Sequence, residues 1–440
     1  MTKTAVEARI GVGLEHARTS QPDDVAEFDF PTDAEIVQCP YPFYEALRRD
    51  ARVYKYPGRN EYLLARREDI MFALQNPQIF STDLGKVDPK LDASAARFLD
   101  DEPKPLPPGC PITTSNSLPM SDLPEHTVKR RAIAKVVSRK RLPSYEPLIE
   151  RLAHELIDGF ESRGTVEFRS EFADQLAVRT ICEVAGYPPE AAKLVMRWAR
   201  LGTNHGRRYL TDAQIAAQDR DMREQAQYAK RLILDRLEHP GDDFLSELVH
   251  EQVERDGELN LPYLVSEVNL LLLAGNETTS RLVTNTMLVL LQQPELFEAV
   301  RADLSLLPAV IEESLRYESP TQWVTRIVLE DTEIAGTPIP RGAAVILMLG
   351  SANQDEELWD DPHRFVLDRP NIAKYHLGFG GGIHLCVGAP LARLEARIGL
   401  EIAIERLQSV RLAPTNDLAN IDNFQKRVPV VLNLEFDPAG

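Results

Sequence analysis

Phe379-Gly380-Gly381-Gly382-Ile383-His384-Leu385-Cys386-Val387-Gly388 runs into Ala389-Pro390 and an apolar-periodic stretch that ends near Leu407. Proline is favoured in the first turn of a helix, so this order predicts a helix over 390–407 with Cys386 just ahead of its N-terminus. There the helix dipole and free N–H groups favour thiolate over thiol. Three consecutive glycines and Gly388 let the backbone come close to a flat ligand and leave N–H groups to point at the sulfur. Plainer readings compete. A lone cysteine is more often a buried structural thiol, and a glycine run is most often a turn. The dinucleotide fingerprint G-x-G-x-x-G does not fit, because Ile383 or Leu385 falls where its third glycine should stand. A cysteine nucleophile fits poorly: His384 is two residues away, but no Asn or Asp is evidently placed to orient it.

Upstream, Leu270–Leu273 is followed by Ala274-Gly275-Asn276-Glu277-Thr278-Thr279, and apolar periodicity then resumes to Leu291. The period predicts one long helix over 261–291. A glycine and several polar residues in its middle cost stability on propensity alone. A kink, or a threonine hydroxyl bonded to the carbonyl four residues back, is the plain explanation. Helical periods also run over 43–49, 68–74, 147–160, 190–201, 212–237 and 307–317, and most of 125–293 reads as helix. Strand-like runs stand at 52–56, 61–65, 324–334, 339–349 and 428–436, the first two joined by a turn at Pro57-Gly58-Arg59-Asn60. The expected fold class is therefore mainly α, with small β-sheets near the two ends of the sequence. Residues 1–30 read as flexible. Residues 83–121 carry seven prolines and one short helix near 93–99; a loop of this length is a lid, a binding loop or a surface insertion.

Taken whole, F-x-x-G-x-H-x-C-x-G at 379–388 resembles the haem-binding loop of the cytochrome P-450 family, where Arg or His stands at the position of His384. Ala274–Thr279 resembles the oxygen-activating segment of the same family. Glu313-x-x-Arg316, with Pro362-His363-Arg364-Phe365 and Arg369, resembles its structural ion network, and His126-x-x-x-Arg130 its H-x-x-x-R helix. The four motifs stand in family order, and the resemblance covers the chain from about Pro42.

The resemblance implies the cytochrome P-450 fold as a single domain over 1–440, with haem b (iron protoporphyrin IX) between the long central helix and the Cys-loop helix. It implies Cys386 as the thiolate ligand of iron. Glu277 and Thr278 become the acid and alcohol that bring protons to bound dioxygen, with Ala274 and Gly275 leaving it room. His126, Arg130, Arg326 and His384 are the expected propionate partners, and Phe379, Gly380 and Gly388 the remaining cofactor-binding residues of the loop. Glu313, Arg316 and Arg369 are expected behind the loop, in folding and haem retention, although the i,i+3 spacing alone fits a surface pair worth about 0.2–0.5 kcal/mol. Leu270, Leu273, Ala274, Gln322, Trp323, Val324 and Phe424 are expected near the substrate. That set is mostly apolar, which implies a hydrophobic small molecule, with Gln322 available to one polar group.

The implied function is that of a soluble bacterial-type monooxygenase, which inserts one oxygen atom of dioxygen into such a molecule. No flavin or iron–sulfur domain is visible, so electrons are expected from NAD(P)H through a ferredoxin and a ferredoxin reductase. Two rivals stay open: a peroxide-driven peroxygenase and a non-catalytic haem-binding partner protein. Glu277 and Thr278 favour the dioxygen route, and a non-catalytic relative need not keep them or Cys386. The 440 residues hold 50 Lys+Arg against 68 Asp+Glu, a net charge of −18. That argues against a nucleic-acid binder or a protein drawn to anionic membranes. The local exception is 129–141, where Lys129, Arg130, Arg131, Lys135, Arg139, Lys140 and Arg141 suggest a docking face for an acidic electron-transfer protein. No apolar run approaches the roughly 18 residues of a membrane span. The four cysteines, Cys39, Cys110, Cys182 and Cys386, form no C-x-x-C and suit a reducing cytoplasm.

Overall fold

The computed structural model describes residues 33–83, 86, 99, 117–201 and 211–438. The expected flexible N-terminus, Cys110 and nearly all of the proline-rich 83–121 stretch, including its short helix, lie outside the described residues.

The fold is organised about the helix Leu261–Leu291, whose 31 residues span about 46 Å at 1.5 Å each. Asn260 caps it, its side chain accepting the Tyr263 N–H at 3.2 Å, and Pro262 fills the first turn. It is buried on nearly every face, as a helix apolar all round must be. Helices Asp174–Val184, Ala192–Leu201, Asp212–Glu238, Leu307–Tyr317 and Ala389–Arg406 pack against it. Gly275 lies at one of these contacts: a Cβ there would stand 2.6 Å from Ile181 Cδ1 of helix Asp174–Val184. Its expected role of leaving room for oxygen is thereby corrected, since the missing side chain admits a neighbouring helix. The Ser280 hydroxyl donates to Asp174 across the same contact.

The strands, in chain order, are β1 (Val53–Lys55), β2 (Glu61–Leu64), β3 (Phe80–Ser81), β4 (Thr165–Glu167), β5 (Val324–Val328), β6 (Thr332–Ile334), β7 (Thr337–Ile339), β8 (Ala344–Leu347), β9 (Gln408–Leu412) and β10 (Asn433–Asp437). The largest sheet has the order β1-β2-β8-β5-β3. Only its β2–β8 pair is parallel, in the register Tyr62↔Val345, while β5 and β8 run antiparallel with Arg326 opposite Val345. The stretch read as one strand over 324–334 is broken into β5 and β6. Its neighbour over 339–349 likewise divides between β7 and β8. The β6–β7 turn uses Ala335 and Gly336 at φ +49° and +79°, as a tight hairpin turn requires. The C-terminal strand is shorter than expected, 433–437. It pairs with β9 and with β4, a three-residue strand inside the otherwise helical middle of the chain. A strand so short carries no periodicity, so the sheets are not confined to the two ends as the sequence suggested. A separate apolar cluster of Phe43, Tyr44, Leu47, Leu63, Ile346 and Phe424 joins the N-terminal helix Tyr41–Asp50 to the sheet.

Candidate active site

The Cys386 loop is closed by the Cys386 N–H, which donates to the Phe379 carbonyl at 2.9 Å. Gly380 and Gly382 sit at φ +70° and +63°, and a Cβ on Gly382 would meet the Leu74 carbonyl oxygen at 2.0 Å. Glycine is therefore required there for conformation and for close approach. The Cys386 sulfur receives the N–H groups of Gly388 and Ala389 at the head of helix Ala389–Arg406. Burial pushes the thiol up, while those N–H groups and the Arg130 and Arg393 guanidiniums pull it toward the thiolate. The Arg393 guanidinium also covers the Phe379 ring at 4.5 Å. Cys386 itself, in the loop ahead of this helix, is exposed. Ala274 is likewise exposed within the otherwise buried central helix.

Basic side chains gather at one edge of this site. His126 on helix Glu125–Ala134 lies with its ring centroid 4.6 Å from that of His384, and it donates to the Ile383 carbonyl. Nε2 of each imidazole is buried with no partner among the described residues. Arg326 projects from β5 and is 6% exposed, donating to its neighbour's carbonyl, Thr325 O, at 2.9 Å. Burial lowers its guanidinium to about 10. Burial first, and then the positive charges of Arg326, His126 and Arg130, drive His384 down to about 3. Asp122 is an acid that acts on both Arg326 and His384, and it is already engaged by Ser81 and by Lys86 at 2.7 Å. A buried cluster of this kind calls for anions. A flat cofactor carrying two carboxylates at one edge, seated on the Cys386 sulfur, fits both the glycine cradle and this donor set. Arg130 divides its role, since its Nη1 donates to the carbonyls of Ile383 (3.2 Å) and Leu385 (2.8 Å) and so holds the loop itself.

On the central helix, Thr278 Oγ1 donates to the Ala274 carbonyl at 2.7 Å. Glu277 Oε2 pairs with Arg281 Nη1, one turn on, at 3.1 Å. The two expected relay residues are neighbours whose side chains are engaged with different partners. Behind the loop, Glu313 and Arg316 are fully buried and joined at 2.7 Å, with Arg369 Nε 3.0 Å from the same carboxylate. Further guanidinium protons go to carbonyls: Arg316 to Asn353, Pro362 and Arg364, and Arg369 to Asp360, Asp361 and Arg364. This is a buried network dense in hydrogen bonds, unlike a surface pair.

Leu270, Leu273, Trp323 and Val324 are partly buried, whereas Gln322 and Phe424 are each 1% exposed. The Gln322 Oε1 accepts Tyr44 OH at 2.8 Å and its Nε2 donates to Ser319 O at 2.7 Å. Phe424 packs on the rings of Phe43 and Tyr44. Both therefore belong to the N-terminal cluster and offer no surface to a substrate, which corrects their expected place in the pocket. The basic stretch 129–141 is also narrower than its sequence. Lys135 pairs with Glu247 and Glu251, Arg141 pairs with Glu247, and Lys129 turns inward to Ser121. Arg131, Arg139 and Lys140 remain exposed.

One brace escaped the sequence reading. Glu312 bonds Arg393 at 2.5 Å and His376 at 2.9 Å, and His376 Nδ1 accepts the Gly378 N–H ahead of Phe379. These two bases hold Glu312 at about 2 against the opposing effect of burial. The doubled Glu312-Glu313 was the available signal.

A family model described as cytochrome P450 matches residues 200–434. Cytochrome P450 107B1 of Saccharopolyspora erythraea is 34% identical over 402 residues, covering 91% of this chain and 94% of the relative. The chain belongs to the cytochrome P450 family. The 6-deoxyerythronolide B hydroxylase of the same organism is 31% identical over 382 residues, covering 84% and 89% of the two chains. The crystal structure of CYP109E1 from Bacillus megaterium in complex with testosterone superposes with a TM-score of 0.81 at 29% identity, over 92% of this chain and all of that one. P450BioI in complex with a hexadec-9Z-enoic acid ligated acyl carrier protein superposes with a TM-score of 0.79 at 28% identity, over 92% and 99%. This P450 is accordingly a haem-thiolate oxidoreductase that incorporates oxygen. Among the described residues no helix is long and apolar enough to cross a membrane.

Proposed function

We propose that this P450 is a monooxygenase carrying haem b, that it oxidises a hydrophobic small molecule, and that a ferredoxin with its NAD(P)H-dependent reductase supplies the electrons. The observation that carries this reading is the Cys386 sulfur under two helix N–H groups, beside the unpartnered imidazole nitrogens of His126 and His384 and buried Arg326. Cys386 would hold the iron, and Arg326, His126, His384 and Arg130 the propionates. Phe379, Gly380 and Gly388 would shape the loop beneath the ring. Bound haem supplies the binding and reductive activation of dioxygen. The chain's part is to seat it and to move protons. Thr278, released from the Ala274 carbonyl, would hold water beside Ala274, and Glu277, released from Arg281, would bring protons to it.

The substrate class rests on the partly buried Leu270, Leu273, Trp323 and Val324. Relatives named for testosterone, for an acyl carrier protein bearing a C16 acid and for 6-deoxyerythronolide B support a large apolar molecule. Docking of the electron donor is supported by a surface groove of about 460 Å³ between Leu123, His126, Arg130, Arg131, Ile383 and Leu385. Exposed Leu123 and Leu385 supply apolar contact, and Arg131 supplies charge for an acidic partner. Free Cys39, Cys182 and Cys386 are consistent with a reducing cytoplasm as the site of action.

The decisive measurement is the spectrum of the reduced, carbon monoxide-bound protein. The long-wavelength Soret band of thiolate ligation should be present and should vanish in Cys386→Ser. Its persistence in that variant would sink the axial assignment. Turnover with the ferredoxin system should exceed turnover with hydrogen peroxide, and the reverse would make the protein a peroxygenase.

A further inference from the structure

Accessibility along the middle of the central helix is confined to one window. Residues 263–269 and 279–287 are all buried, whereas Leu270, Leu273, Ala274, Gly275, Glu277 and Thr278 are not. Glu267 stands at the edge of that window. Leu270, Ala274 and Thr278 follow it by three, seven and eleven residues, spacings that return to one face of a helix with about 3.6 residues per turn. Glu267 therefore continues the face that carries the proposed oxygen site, about 10 Å along the axis from Ala274. A neighbouring segment closes this end, where the Leu118 N–H donates to Glu267 Oε2 at 3.4 Å. Glu267 Oε1 and the hydroxyl of Ser117, the residue before Leu118, are each buried with no hydrogen-bond partner among the described residues. Both residues are 0% exposed. Lys129 attracts the carboxylate, but its Nζ donates to Ser121 Oγ at 2.7 Å. A carboxyl oxygen and a hydroxyl left unpaired in the interior each cost stability until something bonds them.

We propose that Glu267 Oε1 and Ser117 Oγ form a polar subsite at the far end of the substrate pocket, which binds a hydroxyl group of the substrate about 10 Å along the helix from the carbon that is oxidised. The inference rests on the reading of this P450 as a monooxygenase of a hydrophobic small molecule, and it adds one polar group at a set distance to that substrate. A hydroxyl suits the pair because it donates to the carboxyl oxygen while accepting from the serine. A protonated amine suits it less, since Lys129 already offsets the charge of Glu267. A hydroxyl anchored there fixes which part of the apolar body lies beside Ala274. Glu267 and Ser117 thus select the position of oxidation without touching the reacting atoms.

The test uses the haem-loaded protein and three probes of one carbon skeleton: dodecan-2-ol, dodecan-2-one and dodecane. Binding is read from the low-spin to high-spin shift of the ferric Soret band, without turnover. Affinities for the alcohol and the ketone are taken relative to dodecane in each protein, so that a general loosening of the pocket cancels. The alcohol should bind about tenfold more tightly than the ketone, which accepts from Ser117 but has no proton for Glu267. Glu267→Gln should erase that preference: the Leu118 N–H keeps the amide oxygen, and the amide nitrogen in place of Oε1 donates to either probe. Ser117→Ala should weaken alcohol and ketone alike. In turnover, the wild type should oxidise the alcohol at fewer positions than Glu267→Gln does. An alcohol preference that is absent from the wild type, or that survives in Glu267→Gln, overturns the proposal and leaves a buried water as the partner of both oxygens. An equal spread of products in the two proteins overturns it as well. Failure of the underlying reading looks different: no probe, dodecane included, then shifts the spin state, and the subsite falls with it.

Discussion

Thr278 and Gly382 show how much a single residue decides. Thr278 spends its hydroxyl on the Ala274 carbonyl, a bond that any mid-helix threonine can make. Its proposed role with water beside bound oxygen therefore rests on exchange of that bond. Thr278→Ala should keep consuming oxygen and NAD(P)H while forming several-fold less product and more hydrogen peroxide, as read by peroxide release against product yield. Fully coupled turnover would remove the threonine from the relay. Gly382→Ala should fail earlier. Its Cβ would overlap the Leu74 carbonyl, a backbone atom that cannot turn aside, and it would hold alanine at φ +63°. The expected result is purified protein with little bound haem, measured by the ratio of Soret to protein absorbance. At this scale the residue types were legible and their orientations were not. Cys386 stood out because glycines, histidine and a following proline constrain one another over a dozen positions. No pattern shows whether Glu277 faces Thr278 or Arg281, because either is one rotamer away.

Elements were legible in proportion to their length. Helices 261–291 and 307–317 lie where their periods predict them, with proline in each first turn. Strands of three residues such as β4 carry no alternation, and their pairing is decided by tertiary contact alone. The Glu313–Arg316–Arg369 network belongs to this scale, because it ties helix Leu307–Tyr317 to the irregular segment Asn353–Arg369 that leads into the Cys386 loop. Arg316→Met removes the cation bound to both Glu313 oxygens and leaves the carbonyls of Asn353, Pro362 and Arg364 without this donor. Breaking a buried ion pair from one side costs about 3–5 kcal/mol. The variant should therefore unfold at markedly lower denaturant and release haem on mild warming. An unchanged denaturation midpoint would show that Arg369 alone suffices for Glu313.

At the scale of the whole molecule, the central helix carries a carboxyl group into the core two turns before the site. Glu267 is 0% exposed, and burial holds it up at about 7 despite the attraction of Lys129 and the Leu118 N–H at 3.4 Å. The unfolded chain ionises it near the ordinary 4.5. Below that pH both states are protonated and the residue is neutral toward stability. Between 4.5 and 7 the unfolded state alone gives up its proton, so stability falls as pH rises. Above 7 both states are ionised and the full cost, roughly 3 kcal/mol, is constant. Glu267→Gln cannot ionise and should escape this loss. Its thermal midpoint relative to wild type, followed by circular dichroism, should climb between pH 4.5 and 7 and level off above. Glu395, likewise buried and raised to about 8, adds a loss of the same sign that extends to higher pH and persists in this variant. A difference between the two proteins that stays constant from pH 4 to 8 would mean that Glu267 is already ionised in the folded chain, with Lys129 as its paired cation.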